Sequence, residues 1–126
     1  SKNNIQNPVP DIPFNVSLNI TLPEYQPLQI PLGGIVYYNN AGSKGLAILR
    51  TSLNDFVVYD RHCPYNVGEG CQVDLDPDNI GVLIDDDCCE SVFNMLNAGF
   101  PQSGPAEFPL RSYKWSFNGT ILRIFN

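Results

Sequence analysis

Tyr113-Lys114-Trp115-Ser116-Phe117-Asn118-Gly119-Thr120-Ile121-Leu122-Arg123-Ile124-Phe125 reads as a β-hairpin. Its arms are residues 113–117 and 120–125, and Asn118-Gly119 between them is a strong two-residue turn signal. Trp115, Phe117 and Phe125 are of the type that pairs across strands. Working outward, the same alternation recurs. Phe14, Val16, Leu18, Ile20 and Leu22 are separated by polar residues, which predicts a strand with one wet face. Leu28 to Pro31 predicts a short strand, and Ile35 to Tyr38 another, ended by the turn Asn39-Asn40-Ala41-Gly42. Residues 45–50 and 55–59 predict a hairpin about Thr51 to Asn54. Gln72 to Leu75 and Ile80 to Ile84 predict one about Asp76-Pro77-Asp78-Asn79, whose residues pre-set turn dihedrals. Eleven prolines and ten glycines interrupt almost every long window, so the helix signal is nearly absent. One short helical turn is expected near Glu90 to Leu96. The fold expected is all-β, an antiparallel sandwich or partial barrel.

The chain has 126 residues, enough for one domain, and 43% of them are apolar. The formal net charge is -6 with 7 scattered Lys and Arg. That composition excludes nucleic acid and anionic membrane surfaces as partners, since both need basic patches. No apolar run approaches the roughly 20 residues that cross a bilayer. With one histidine, a hydrolytic triad is nearly excluded, and no nucleophile–base–acid set is visible, so enzymatic activity is not expected. Gly33-Gly34 lies between strands and reads as a turn, not a phosphate loop. Residues 1–13 are polar and carry Pro8, Pro10 and Pro13, as expected of a flexible leader or tether left when an export signal or lipidated anchor is removed. Residues 14–126 then form the domain.

Four cysteines fall in the middle third: Cys63, Cys71, Cys88 and Cys89. An even number suits two disulfides or a metal site. Adjacent cysteines rarely bridge each other, so Cys88 and Cys89 should each reach back to Cys63 or Cys71. Two disulfides also favour an oxidising compartment.

Three loops join these features. The first is Tyr59-Asp60-Arg61-His62-Cys63-Pro64-Tyr65, the second Asp85-Asp86-Asp87-Cys88-Cys89-Glu90-Ser91-Val92-Phe93, and the third contains Gly104-Pro105-Ala106-Glu107-Phe108-Pro109-Leu110. With Tyr113 and the final hairpin, the third loop resembles the proline loop of Rieske iron–sulfur domains, and Ser91 and Phe93 match the end of their second ligand loop. The resemblance covers residues 33–126. It implies a Rieske-type β domain with a loop-and-hairpin sub-domain at about residues 61–109.

The departures fall on the ligands. A Rieske cluster binds one iron by two thiolates and the other by two imidazoles. Aligned on that pattern, the four ligand positions are Cys63, Tyr65, Asp86 and Cys89, and only Cys63 is retained. A phenol holds its proton until about pH 10, and a carboxylate is a hard donor mismatched to an iron–sulfide core. The resemblance therefore implies a vestigial ligand set and no cluster. It places Cys71 and Cys88 where some Rieske domains carry a disulfide, leaving Cys63 to face Cys89; Cys63–Cys88 with Cys71–Cys89 is the alternative. No metal is expected at the site. The function implied is a non-catalytic binding or structural role in the bacterial cell envelope, periplasmic or lipid-anchored, with a protein partner. The rival is a [2Fe–2S] electron-transfer protein with unusual ligands.

Lesser candidates complete the set. His62 reads as a displaced ligand or a solvated loop residue. Asp74, Asp76, Asp78 and Asp85 have the spacing of a calcium loop, but Asn79 stands where glycine is required and Pro77 intrudes. Asn15, Asn19 and Asn118 head glycosylation triplets, relevant only in a eukaryotic source.

Overall fold

The computed structural model describes residues 7–85 and 87–126. Among the described residues, ten strands form three antiparallel sheets. They are β1 (Asn15–Asn19), β2 (Ile35–Tyr38), β3 (Leu46–Ser52), β4 (Asp55–Asp60), β5 (Asp74–Leu75), β6 (Val82–Asp85), β7 (Ser91–Asn94), β8 (Phe100–Ser103), β9 (Lys114–Phe117) and β10 (Ile121–Phe125). The first sheet has the order β1-β10-β9, the second β2-β3-β4 and the third β5-β6-β7-β8.

The second sheet lies in the middle, and strand periodicity explains why. Successive side chains of a strand point to opposite faces. Val36, Leu46, Ile48, Phe56 and Val58 face a core shared with Leu18, Leu122 and Ile124 of the first sheet. Their neighbours Ala47, Leu49 and Tyr59 face a second core, shared with Leu83, Phe93 and Met95 of the third-sheet region. Leu46 to Leu49 are all 0% exposed, so β3 is apolar on both faces. A strand covered on one side only would alternate; the unbroken Leu-Ala-Ile-Leu run requires two covering layers.

The all-β, antiparallel expectation holds, with local corrections. Leu28 to Pro31 is not a strand: Pro23–Gln29 is a 3₁₀ segment. Pro23 and Pro27 lack the N–H that a sheet ladder needs, and Leu28 is instead buried outright, at 0% exposure. The helical turn expected at Glu90 to Leu96 is β7 followed by a 3₁₀ turn at Met95–Asn97. Residues 99–110 read as loop in the sequence, yet Phe100–Ser103 form β8 with Pro101 inside it. The proline is tolerated because β8 is the edge of its sheet.

The final hairpin turns one residue later than its strongest signal. Phe117 pairs with Leu122, and Asn118 N–H donates to Ile121 O (3.3 Å), so the tip is Gly119-Thr120. The Asn118 side chain is spent on the turn: Oδ1 accepts from Thr120 N–H (2.9 Å) and Ile121 N–H (2.7 Å). This register sets Leu122 and Ile124 opposite Phe117 and Trp115.

The expected tether is tied down from residue 7 onward; residues 1–6 lie outside the described residues. Val9 is 1% exposed. Asn7 Nδ2 donates to Pro109 O (2.8 Å), and Arg111 Nε donates to Val9 O (2.9 Å). Segment 7–13 therefore covers the end of the third loop.

Candidate functional site

The site is built where β4 ends. Asp60 is fully buried, and its carboxylate collects four donors. Oδ1 accepts from Lys44 N–H (3.1 Å) and His62 N–H (2.9 Å); Oδ2 accepts from Ser43 N–H (2.6 Å) and the Tyr113 hydroxyl (2.7 Å). A buried carboxylate is tolerable only when its lone pairs are satisfied in this way. The arrangement ties the turn after β2, the start of the first cysteine loop and the strand leading to β9 to one point. Burial, then the bond donated to Asp60 and the carboxylate's charge, push the Tyr113 hydroxyl pKa up.

Arg61 is the second anchor. Its guanidinium stacks on the Tyr37 ring at 3.6 Å from the centroid. Nε donates to Val73 O (3.0 Å), one terminal nitrogen to Asn39 Oδ1 (3.2 Å), and the other pairs with Asp74. The first loop is thus closed on itself: Cys63 N–H donates to Cys71 O (2.9 Å) and Val73 N–H to Arg61 O (2.8 Å).

His62 is buried within the loop and is not solvated. It is 5% exposed, with Nε2 2.9 Å from Val67 O and Nδ1 2.7 Å from Ser43 Oγ. A carbonyl only accepts, so Nε2 carries the hydrogen, and both ring nitrogens are occupied within the loop.

The second loop is a turn capped by Asp85, whose Oδ1 accepts from Asp87 N–H (3.2 Å) and Cys88 N–H (3.1 Å). Asp86, one of the aligned ligand positions, lies outside the described residues. Cys88 is exposed and Cys89 is 1% exposed, so two adjacent thiols point to different environments. The structure joins Cys63 to Cys89 and Cys71 to Cys88. The inner bridge belongs to the second core, with Cys63 at 0% exposure. The outer bridge opens to solvent at Cys88.

The third loop seals the second. Ser91 Oγ donates to Cys89 O (3.0 Å) and accepts from Ala106 N–H (3.2 Å). Gly104 has φ +93, and a Cβ there would run into Glu90 O and lie 2.9 Å from Ser91 Oγ. Both the dihedral and the space demand glycine. Ala106 is buried and Pro105 exposed on the rim. Tyr65 stands beside the inner bridge, 36% exposed, its N–H 3.4 Å from Cys63 Sγ.

The structure therefore gathers Cys63, Tyr65, Cys89, Gly104, Pro105 and Ala106 from three separate loops. It spends the calcium-spaced carboxylates elsewhere. Asp74 pairs with Arg61, while Asp76 accepts from Asp78 N–H (2.9 Å) and Asn79 Nδ2 (2.9 Å). Those bonds, the Asn79 one foremost, hold the Asp76 carboxyl below its ordinary pKa. Sequence reasoning missed Asp60, Ser43 and Arg61. The visible signal for Asp60 and Arg61 is the polar Asp-Arg-His triplet at the end of β4; Ser43 carries none.

No family model, curated protein or solved structure matches this chain.

Proposed function

We propose that this is a Rieske-like domain of the bacterial cell envelope that holds no [2Fe–2S] cluster and serves a non-catalytic binding or structural role. One observation carries the reading: the sulfurs at two aligned ligand positions, Cys63 and Cys89, are bonded to each other and buried. A sulfur in a disulfide is not a thiolate ligand. The rest of the donor set also fits a diiron centre poorly, since Tyr65 is a phenol and both His62 nitrogens are engaged. Support for the Rieske likeness comes from three antiparallel sheets and from a glycine–proline loop packed on the second cysteine loop. The cell-envelope assignment rests on two disulfides, which persist in oxidising compartments. Among the described residues, no helix is long and apolar enough to cross a membrane.

Iron and acid-labile sulfide are the test. Freshly purified protein should contain neither and resist alkylation at all four cysteines until reduced. About two irons per chain, with visible absorption, would establish the electron-transfer alternative instead.

A further inference from the structure

We propose that the outer disulfide, Cys71–Cys88, is a thiol-gated metal site: once reduced, Cys71, Cys88 and Asp85 take up one borderline-soft divalent cation of the zinc type. Two observations lead there. The first is unequal access. Cys63, Cys89 and Cys71 are 0%, 1% and 3% exposed, whereas Cys88 is exposed. Disulfide cleavage needs in-line approach to a sulfur, so attack falls on Cys88 Sγ. The second is donor convergence. The sulfurs of Cys71 and Cys88 and a carboxylate oxygen of Asp85 all lie within 4.8 Å of one another. Asp85 Oδ1 caps the 85–88 turn, and Oδ2 has no partner among the described residues. Two thiolates and one carboxylate, completed by water, form a donor set that suits tetrahedral zinc.

The chemistry balances with a phosphine as reductant. The phosphine attacks Cys88 Sγ and expels the Cys71 thiolate. Water then releases Cys88 as a thiol and leaves the phosphine oxide. Zinc binding displaces the protons of both thiols. The inner bridge and the Asp85 cap stay in place throughout, so the two loops remain close enough to present the donors. This inference stands apart from the cluster question, because it uses neither Cys63 nor Cys89.

The test uses the full chain, graded phosphine under nitrogen, and a zinc titration against a chromophoric chelator. At low phosphine, iodoacetamide labelling and peptide mapping should place two labels, on Cys71 and Cys88. The half-reduced protein should bind one zinc, and the oxidised protein none. Asp85→Asn should reduce the affinity about tenfold or more, and the double variant C71S/C88S, which retains the inner bridge, should bind no zinc. Labels on Cys63 and Cys89 first, or simultaneous opening of both bridges, would overturn the proposal. So would zinc binding indifferent to Asp85→Asn, or loss of the native circular dichroism in the half-reduced protein.

Discussion

Asp60 shows how one side chain organises a site it does not belong to. Its carboxylate satisfies three backbone N–H groups and the Tyr113 hydroxyl. Asp60→Ala should strand those donors and cost about 3 kcal/mol, read from the urea midpoint. Gly104 is the matching case of shape. Gly104→Ala should cost about 2–3 kcal/mol, because the left-handed backbone and the contact with Glu90 O are both penalised. Tyr113 supplies a pH signature. Its folded pKa is raised by burial and by Asp60, and that of Tyr59 is raised by burial. The protonated form is favoured in the fold, so this stability is fully present below the unfolded tyrosine value of about 10. Above it, stability should fall by up to about 1.4 kcal/mol per pH unit for each such group. Denaturation midpoints between about pH 9 and 11 should fall less steeply in Tyr113→Phe. An unchanged slope would show that Tyr113 titrates normally.

Among the elements, the first cysteine loop shows which half of an ion pair matters. Arg61 is 5% exposed in its side chain and Asp74 66%. Arg61 also stacks on Tyr37 and donates to Val73 O, so it holds β2, the loop and β5 together without its acid partner. Arg61→Ala should therefore cost about 2–3 kcal/mol, and Asp74→Ala less than about 1 kcal/mol, since exposed partners contribute little. Equal losses in thermal melts would overturn that ranking. The outer disulfide spans a separation of 17 residues, for which loop-closure entropy gives about 3 kcal/mol. The C71S/C88S variant should lose about that much and remain folded on its inner bridge.

At the scale of the whole molecule, charge is divided sharply. From His62 to Leu110 there is no Lys or Arg, but there are Glu69, Asp74, Asp76, Asp78, Asp85, Asp86, Asp87, Glu90 and Glu107. Residues 62–110 therefore carry -9, and the other residues, with 7 Lys and Arg against 4 acids, carry +3, which together give the net charge of -6. Mutual repulsion there should be relieved by salt. Raising ionic strength from about 0.02 to about 0.2 M should raise the melting temperature, because the Debye length shrinks below 10 Å over that range. A melting temperature that falls with salt would show that ion pairing outweighs the repulsion.

Much of the frame was legible in the chain. The strand pairs β3–β4 and β9–β10 announce themselves by apolar runs and turn residues, and adjacent Cys88 and Cys89 had to bridge elsewhere. Legibility stopped where a local pattern has two readings. Leu28 to Pro31 is as apolar as a short strand, yet Leu28 and Gln29 close the 3₁₀ segment Pro23–Gln29, with Leu28 buried and Ile30 exposed. Strands β7 and β8 have no alternation of their own; they exist because β6 and the second core offer them partners.

By itself, then, the sequence determined an all-β chain, the positions of its best hairpins and the confinement of its thiols to two loops. Those are consequences of side-chain period and backbone dihedral preference, which act over a few residues. Only the tertiary structure decided which cysteine meets which, that Asp60 and Arg61 hold the loops, and that the middle sheet is covered on both faces. Each of these depends on groups far apart in the chain being brought within bonding distance, and burial of apolar surface by the whole fold is what brings them there.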